Sequence, residues 1–123
     1  MYLDTHVAVW LHDGQRQRIP EASQQLLDTE PLAISPMVEL EIAYLFEIGR
    51  ISYPPDVVLA DLAPLDLSVS ASPFSSVVRA AIGLRWARDP FDRIIVAQAI
   101  VDGMPLLTAN KTILAHLGLA VWD

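Results

Sequence analysis

The chain has 123 residues, which fits one domain spanning 1–123 with one core. With 53% apolar and 19% charged residues it is a folding sequence, and without cysteine it has neither disulfides nor thiolate metal sites. A net charge of −7 argues against a module that holds nucleic acid by phosphate neutralisation alone, but not against a nuclease working through bound cations, which reverse the local field. Residues 1–12 carry Asp4 and no basic stretch, so no secretory leader is expected. No apolar run approaches the roughly 20 residues of a membrane span, and a cytoplasmic protein is expected.

In chain order, "MYLDT" at 1–5 reads as a buried strand, followed by a helix over 5–11. "HDGQRQRIP" is the most polar connection. Pro20 opens a short helix over 20–30, and "PLAIS" at 31–35 is a second strand. Ser35-Pro36 then caps a helix that runs to Gly49. Pro54-Pro55 begins a fourth helix, and the alternating "LDLSVS" at 65–70 reads as a third strand. Helices are predicted from Ser72-Pro73 and from Asp89-Pro90. A strand "PLLTA", a short helix "NKTILAHLG" and a last strand "LAVWD" follow. Strands alternating with helices predict an α/β domain: a five-stranded, mainly parallel sheet, buried on both faces by helices.

Ligands of such sheets sit outside the carboxyl ends of the strands, and Asp4 stands at one. On the helix from Pro36, a 100° step sets Glu41 among Met37, Tyr44, Leu45 and Ile48. An ionised Glu in an apolar stripe costs several kcal/mol unless it is paired or metal-bound. It sits at the stripe's edge or pairs with an arginine if it has no such role. Asp89 and Asp92 head a helix otherwise free of charge beyond Arg93 until Asp102. Capping explains Asp89 as well as ligation does, and an acid at Asp92 suits the positive end of the helix dipole.

The segments "LDTHVAVWL", "ISPMVELEIAYLFEIGRI", "RDPFDRIIVAQA" and "PLLTANKTI" together resemble a PIN domain, and within that family the VapC-type toxins of bacterial toxin–antitoxin pairs. The resemblance covers essentially the whole chain. It implies a PIN-like fold and a metal site using Asp4, Glu41 and Asp92, with Asp89 beside them. It further implies Mg²⁺ or Mn²⁺ as cofactor, RNA as substrate and a cognate antitoxin protein as partner. The family often has Asp where this chain has Asn110. An amide oxygen can ligate a hard cation but brings no charge, so Asn110 is a weaker ligand or simply a helix cap. Clustered carboxylates repel one another without metal, which raises at least one pKa.

The expected activity is hydrolysis of RNA phosphodiester bonds by metal-activated water, with no serine or cysteine nucleophile. The competing expectation is a catalytically weak PIN-like protein that acts only as a binding partner. Receiver domains and haloacid-dehalogenase-type phosphatases fit poorly, because neither Thr5 nor His6 supplies the second acid they need. Arg88 and Arg93 either touch RNA phosphate or pair with the nearby acids, pairing being the default expectation, and Trp10, Trp86 and Trp122 are expected to belong to the core or an interface rather than to stack on bases. Ile42 and Phe46 lie away from Glu41, and such two-sided apolarity suggests a homodimer.

Overall fold

The computed structural model describes all 123 residues. Five two-residue strands form one parallel sheet: β1 (Tyr2–Leu3), β2 (Ala33–Ile34), β3 (Ser68–Val69), β4 (Leu106–Leu107) and β5 (Ala120–Val121). Their order is β3-β2-β1-β4-β5. The chain therefore winds outward from β1 to one edge, then crosses to β4 and winds to the other. Tyr2 registers against both Ala33 and Leu106, and Leu3 against Leu107, so β1 is the central strand. The reversal between β1 and β4 is the switch point at which open α/β sheets form a crevice.

The helices are α1 (Thr5–His12), α2 (Glu21–Thr29), α3 (Pro36–Glu47), α4 (Pro55–Leu62), α5 (Phe74–Ile82), α6 (Pro90–Asp102) and α7 (Lys111–His116). Short 3-10 turns at Arg16–Arg18 and Ala63–Leu65 are not anticipated by the residue pattern. The second of them shortens the expected third strand, because Asp66 turns through a left-handed conformation (φ 56°) just before it. Ser35 caps α3 by accepting from Met37 N at 3.1 Å, with Pro36 in the first turn. Gly103, at φ 62°, ends α6 in the left-handed conformation that a side chain would strain.

Leu3, Ile34, Leu106 and Leu107 are buried with Val7, Val38, Ile42, Ile95 and Val96, which joins the central strands to α1, α3 and α6. Burial on both faces holds for β1 and β4 only; β3 is an exposed edge and β5 is half-buried. Ile42 belongs to this core, which corrects its assignment to an outward face. The exposed large apolar residues of α3 and its C-cap are Leu40, Tyr44, Phe46 and Ile48. No helix is long and apolar enough to cross a membrane.

Candidate metal centre

Asp4 leaves the end of β1 and caps α1, with Oδ1 accepting from Thr5 N at 2.8 Å. Its other oxygen, Oδ2, accepts from Thr108 Oγ1 at 2.5 Å. Thr108 leaves the end of β4, so the two residues bridge the switch point. Thr108 is fully buried and Asp4 is 3% exposed. A carboxylate this deep is tolerable because both oxygens are hydrogen-bonded.

Glu41 lies on the boundary between two faces of α3. Val38 and Ile42 beside it are buried, whereas Tyr44 and Ile48 on its other flank are exposed. The apolar stripe expected around Glu41 is therefore the solvent-facing one in part, and Tyr44 packs on Phe91 at the head of α6. Glu41 is nevertheless buried, and no arginine pairs with it. Its Oε1 has no hydrogen-bond partner, and neither has the buried hydroxyl of Thr5. Burial pushes the Glu41 carboxyl up; the neighbouring Thr5 hydroxyl offsets this in part, and Asp4 and Asp89 add to the rise.

Asp92 enters from the first turn of α6. Ligand oxygens of Asp4, Glu41 and Asp92 all lie within 4.8 Å of one another. Burial, followed by the charges of Asp4, Asp89 and Glu41, pushes Asp92 up to about 7, with His6 opposing. The repulsion expected of clustered acids thus adds to burial at both Glu41 and Asp92.

Asp89 stands outside this trio. It is exposed and its Oδ1 accepts from Asp92 N at 3.1 Å, the N-cap of α6. Its charge still reaches Glu41 and Asp92. Asn110 directs its amide nitrogen to Asp92 Oδ2 at 3.3 Å, while its oxygen accepts from Thr112 N at 2.9 Å and Ile113 N at 3.2 Å. As arranged, it caps α7 and presents a donor, rather than a ligating oxygen, to the acids.

The expectation of ion pairs for Arg88 and Arg93 is corrected. Arg93 binds the Ala81 and Ile82 carbonyls at 2.7 and 2.9 Å, holding α6 to the end of α5, and Arg88 is exposed without an acidic partner. The Ala81 carbonyl also accepts from Leu84 N at 3.0 Å, so the guanidinium adds a second donor there and reaches the next carbonyl, Ile82, as well. Residue identity alone does not single out the role of Thr108. The sequence places it within the strand "PLLTA" and carries no signal that this strand lies beside the one that ends at Asp4.

The residues fit a hard divalent cation. Three carboxylates converge, one buried carboxylate oxygen lacks a hydrogen bond, and burial together with the neighbouring acids pushes one of them up to about 7. Such oxygen-only donor sets suit Mg²⁺ and Mn²⁺.

Fold and site together define an open α/β domain with an acidic centre at its switch point. The PIN domain family model matches residues 1–118, and the chain belongs to that family. It is 31% identical over 116 residues to "Ribonuclease VapC22" of Mycobacterium tuberculosis (strain ATCC 25618 / H37Rv), covering 93% of this chain and 89% of that protein. Its fold also matches a chain in the crystal structure of VapBC2 from Rickettsia felis bound to a DNA fragment from their promoter. There the TM-score is 0.66 and the identity 18%, over 99% of this chain and 98% of the other.

Proposed function

We propose that this PIN domain is a metal-dependent endoribonuclease of the VapC type, the toxin of a toxin–antitoxin pair. The observation that carries the proposal is the convergence of one carboxylate oxygen each from Asp4, Glu41 and Asp92 within 4.8 Å of one another. The similarity to a protein named as a VapC ribonuclease over nearly its whole length supports the same reading.

Asp4, Glu41 and Asp92 would hold Mg²⁺ or Mn²⁺, with Asp89 at the rim as a further acid that can reach the cation or a water on it. When bound, the divalent cation supplies positive charge at the scissile phosphate and a water of lowered pKa. The protein's own part is positioning. Thr108 and the Thr5 amide fix both oxygens of Asp4, so that carboxylate costs little reorganisation when a cation arrives. Asp89 caps α6 and thereby orients the turn that carries Asp92. Asn110 offers Asp92 a donor in place of a further negative charge.

The cognate antitoxin would present an Arg or Lys to the acidic rim. A homodimer is proposed through Leu40 and Phe74, which are 57% and 66% exposed and border one cavity of about 340 Å³ between α3 and α5. A cytoplasmic location follows from the substrate. The test is cleavage of RNA by the purified protein with Mn²⁺ and with chelator, alongside expression with and without the adjacent open reading frame. Metal-dependent cleavage, and toxicity relieved by the neighbour, are expected. A protein that is harmless at high level and inert toward RNA would leave only a binding role.

A further inference from the structure

Three cavities follow one another across the face that carries the acids. The middle one, about 240 Å³, is bordered by Asp4, His6, Trp10 and Asn110. On one side it shares His6 and Trp10 with a cavity of about 280 Å³ that adds Arg18 and Arg50. On the other it shares Asn110 with a cavity of about 260 Å³ that adds Asp92, Trp86 and Arg88. The outer two have no residue in common, so the three line up as a furrow bordered by Asp4 and Asp92, while Glu41 borders none of them.

An indole and an arginine border each end of this furrow, in contact with each other at the Trp10 end. The Arg18 guanidinium lies 5.2 Å from the centre of the Trp10 ring, and both residues border the same cavity. Trp86 stacks on His116 with ring centres 4.7 Å apart. Arg18, Arg50 and Arg88 are exposed, and none has an acidic partner within ion-pair distance. In a chain of net charge −7 with eight Lys and Arg, three unpaired arginines flank the most acidic site. Attraction of a cation to the acids does not require them; a polyanion crossing the acids does.

We infer that Trp10, Arg18 and Arg50 form a nucleotide subsite next to the metal centre, where single-stranded RNA stacks a base and seats a phosphate beside the bond to be cut. Guanidinium and indole planes both accept stacked bases, and unpaired arginines take phosphate oxygens. Arg88 takes a phosphate on the far side of the acids. A strand bound on both sides of the centre is cut internally. This subsite rests on the ribonuclease activity proposed above.

The test is steady-state cleavage of a short fluorescent single-stranded RNA of mixed sequence with Mn²⁺, across a salt series. It compares wild type with Arg18→Ala/Arg50→Ala, Trp10→Ala, Trp10→Phe and, as a control on the exposed side of α5, Arg79→Ala. The double arginine variant should raise KM on the order of tenfold or more with kcat held. Its slope of log(kcat/KM) against log salt should shrink by about 1.4, roughly 0.7 for each phosphate contact on a single strand. Trp10→Ala should raise KM by roughly 5- to 100-fold, and Trp10→Phe should restore it by keeping a stacking face. Arg79→Ala should match wild type. Arginine variants that behave like Arg79→Ala, or that lose kcat with the salt slope intact, overturn the subsite while the ribonuclease stands. Unchanged RNA kinetics with loss only of binding to a protein partner overturn it equally. A wild-type protein that cuts no RNA with Mn²⁺ overturns the ribonuclease and the subsite together.

Discussion

Thr108 Oγ1 donates to Asp4 Oδ2 at 2.5 Å, just past the ends of the paired strands β1 and β4, where the winding order of the sheet reverses. Thr108 is fully buried and Asp4 is 3% exposed, so the bond is made inside the protein, with Asp4 at the edge of a cavity. The pair ties the ends of β1 and β4 together and sets the angle of the first acid.

Thr108→Val keeps the shape and removes both the donor to Asp4 and the acceptor for Asn110 N at 3.0 Å. A buried carboxylate oxygen then loses a charge-assisted hydrogen bond, which costs about 1.5–3 kcal/mol. Thermal unfolding should report that loss, and Mn²⁺ titration calorimetry should report weaker binding. Thr108→Ser should recover both. If Thr108→Val proves as stable as wild type, Asp4 is held by its other contacts.

Asp92, raised to about 7 from an ordinary carboxyl, sets a pH dependence of unusual sign. Between the unfolded value near 3.8 and about 7, the folded protein binds more protons than the unfolded one. Metal-free stability contributed by this group therefore falls as pH rises through that window and levels off above it. Metal binding needs the ionised form, so Mn²⁺ affinity rises over the same window. Melting temperatures across the window, without and with Mn²⁺, should diverge as pH increases. Asp92→Asn should flatten the metal-free curve; an unchanged slope would assign the dependence to other groups.

The alternation of short apolar strands with capped helices is enough to read the parallel sheet, because Pro and Ser at 35–36 and Asp89-Pro90 mark helix starts by local chemistry alone. Asp4 and Asp92 are legible for the same reason, as acids at a strand end and a helix start. Glu41 is legible only as an anomaly. Helical periodicity locates it among apolar residues, but α3 carries apolar side chains on both flanks, and periodicity cannot say that Ile42 faces the core and Tyr44 the solvent. Tertiary packing decides that. The Thr108–Asp4 bond spans 104 positions and the furrow joins α1 to the start of α6, so neither has a local signature.

Asp89 and Asp92 should separate experimentally, because one caps and the other lies in the trio. Asp89→Ala should cost about 1 kcal/mol by removing the N-cap of α6, whereas Asp89→Asn should hold stability because Asn caps equally well. Any loss of Mn²⁺ affinity in Asp89→Asn then measures its charge at the site. Asp92→Asn should lose more affinity than Asp89→Asn; the reverse order would move the centre of the site to the rim.

Asn110→Asp keeps a capping oxygen for α7 but replaces the donor to Asp92 with a repelling charge. Melting temperature without metal should fall and Mn²⁺ affinity should rise. If neither moves, Asn110 acts only as the cap of α7.

The central claim is that Asp4, Glu41 and Asp92 bind one divalent cation and that this arrangement cuts RNA. Its most direct measurement is RNA cleavage by purified wild type and Asp4→Asn in Mn²⁺, with the Mn²⁺-induced rise in melting temperature recorded on the same samples. Wild type should cut RNA only with the metal and should melt higher in its presence. Asp4→Asn should remain folded, lose the thermal shift and cut slower by on the order of a hundredfold or more. Metal-dependent cleavage at the wild-type rate by a folded Asp4→Asn protein would contradict the account.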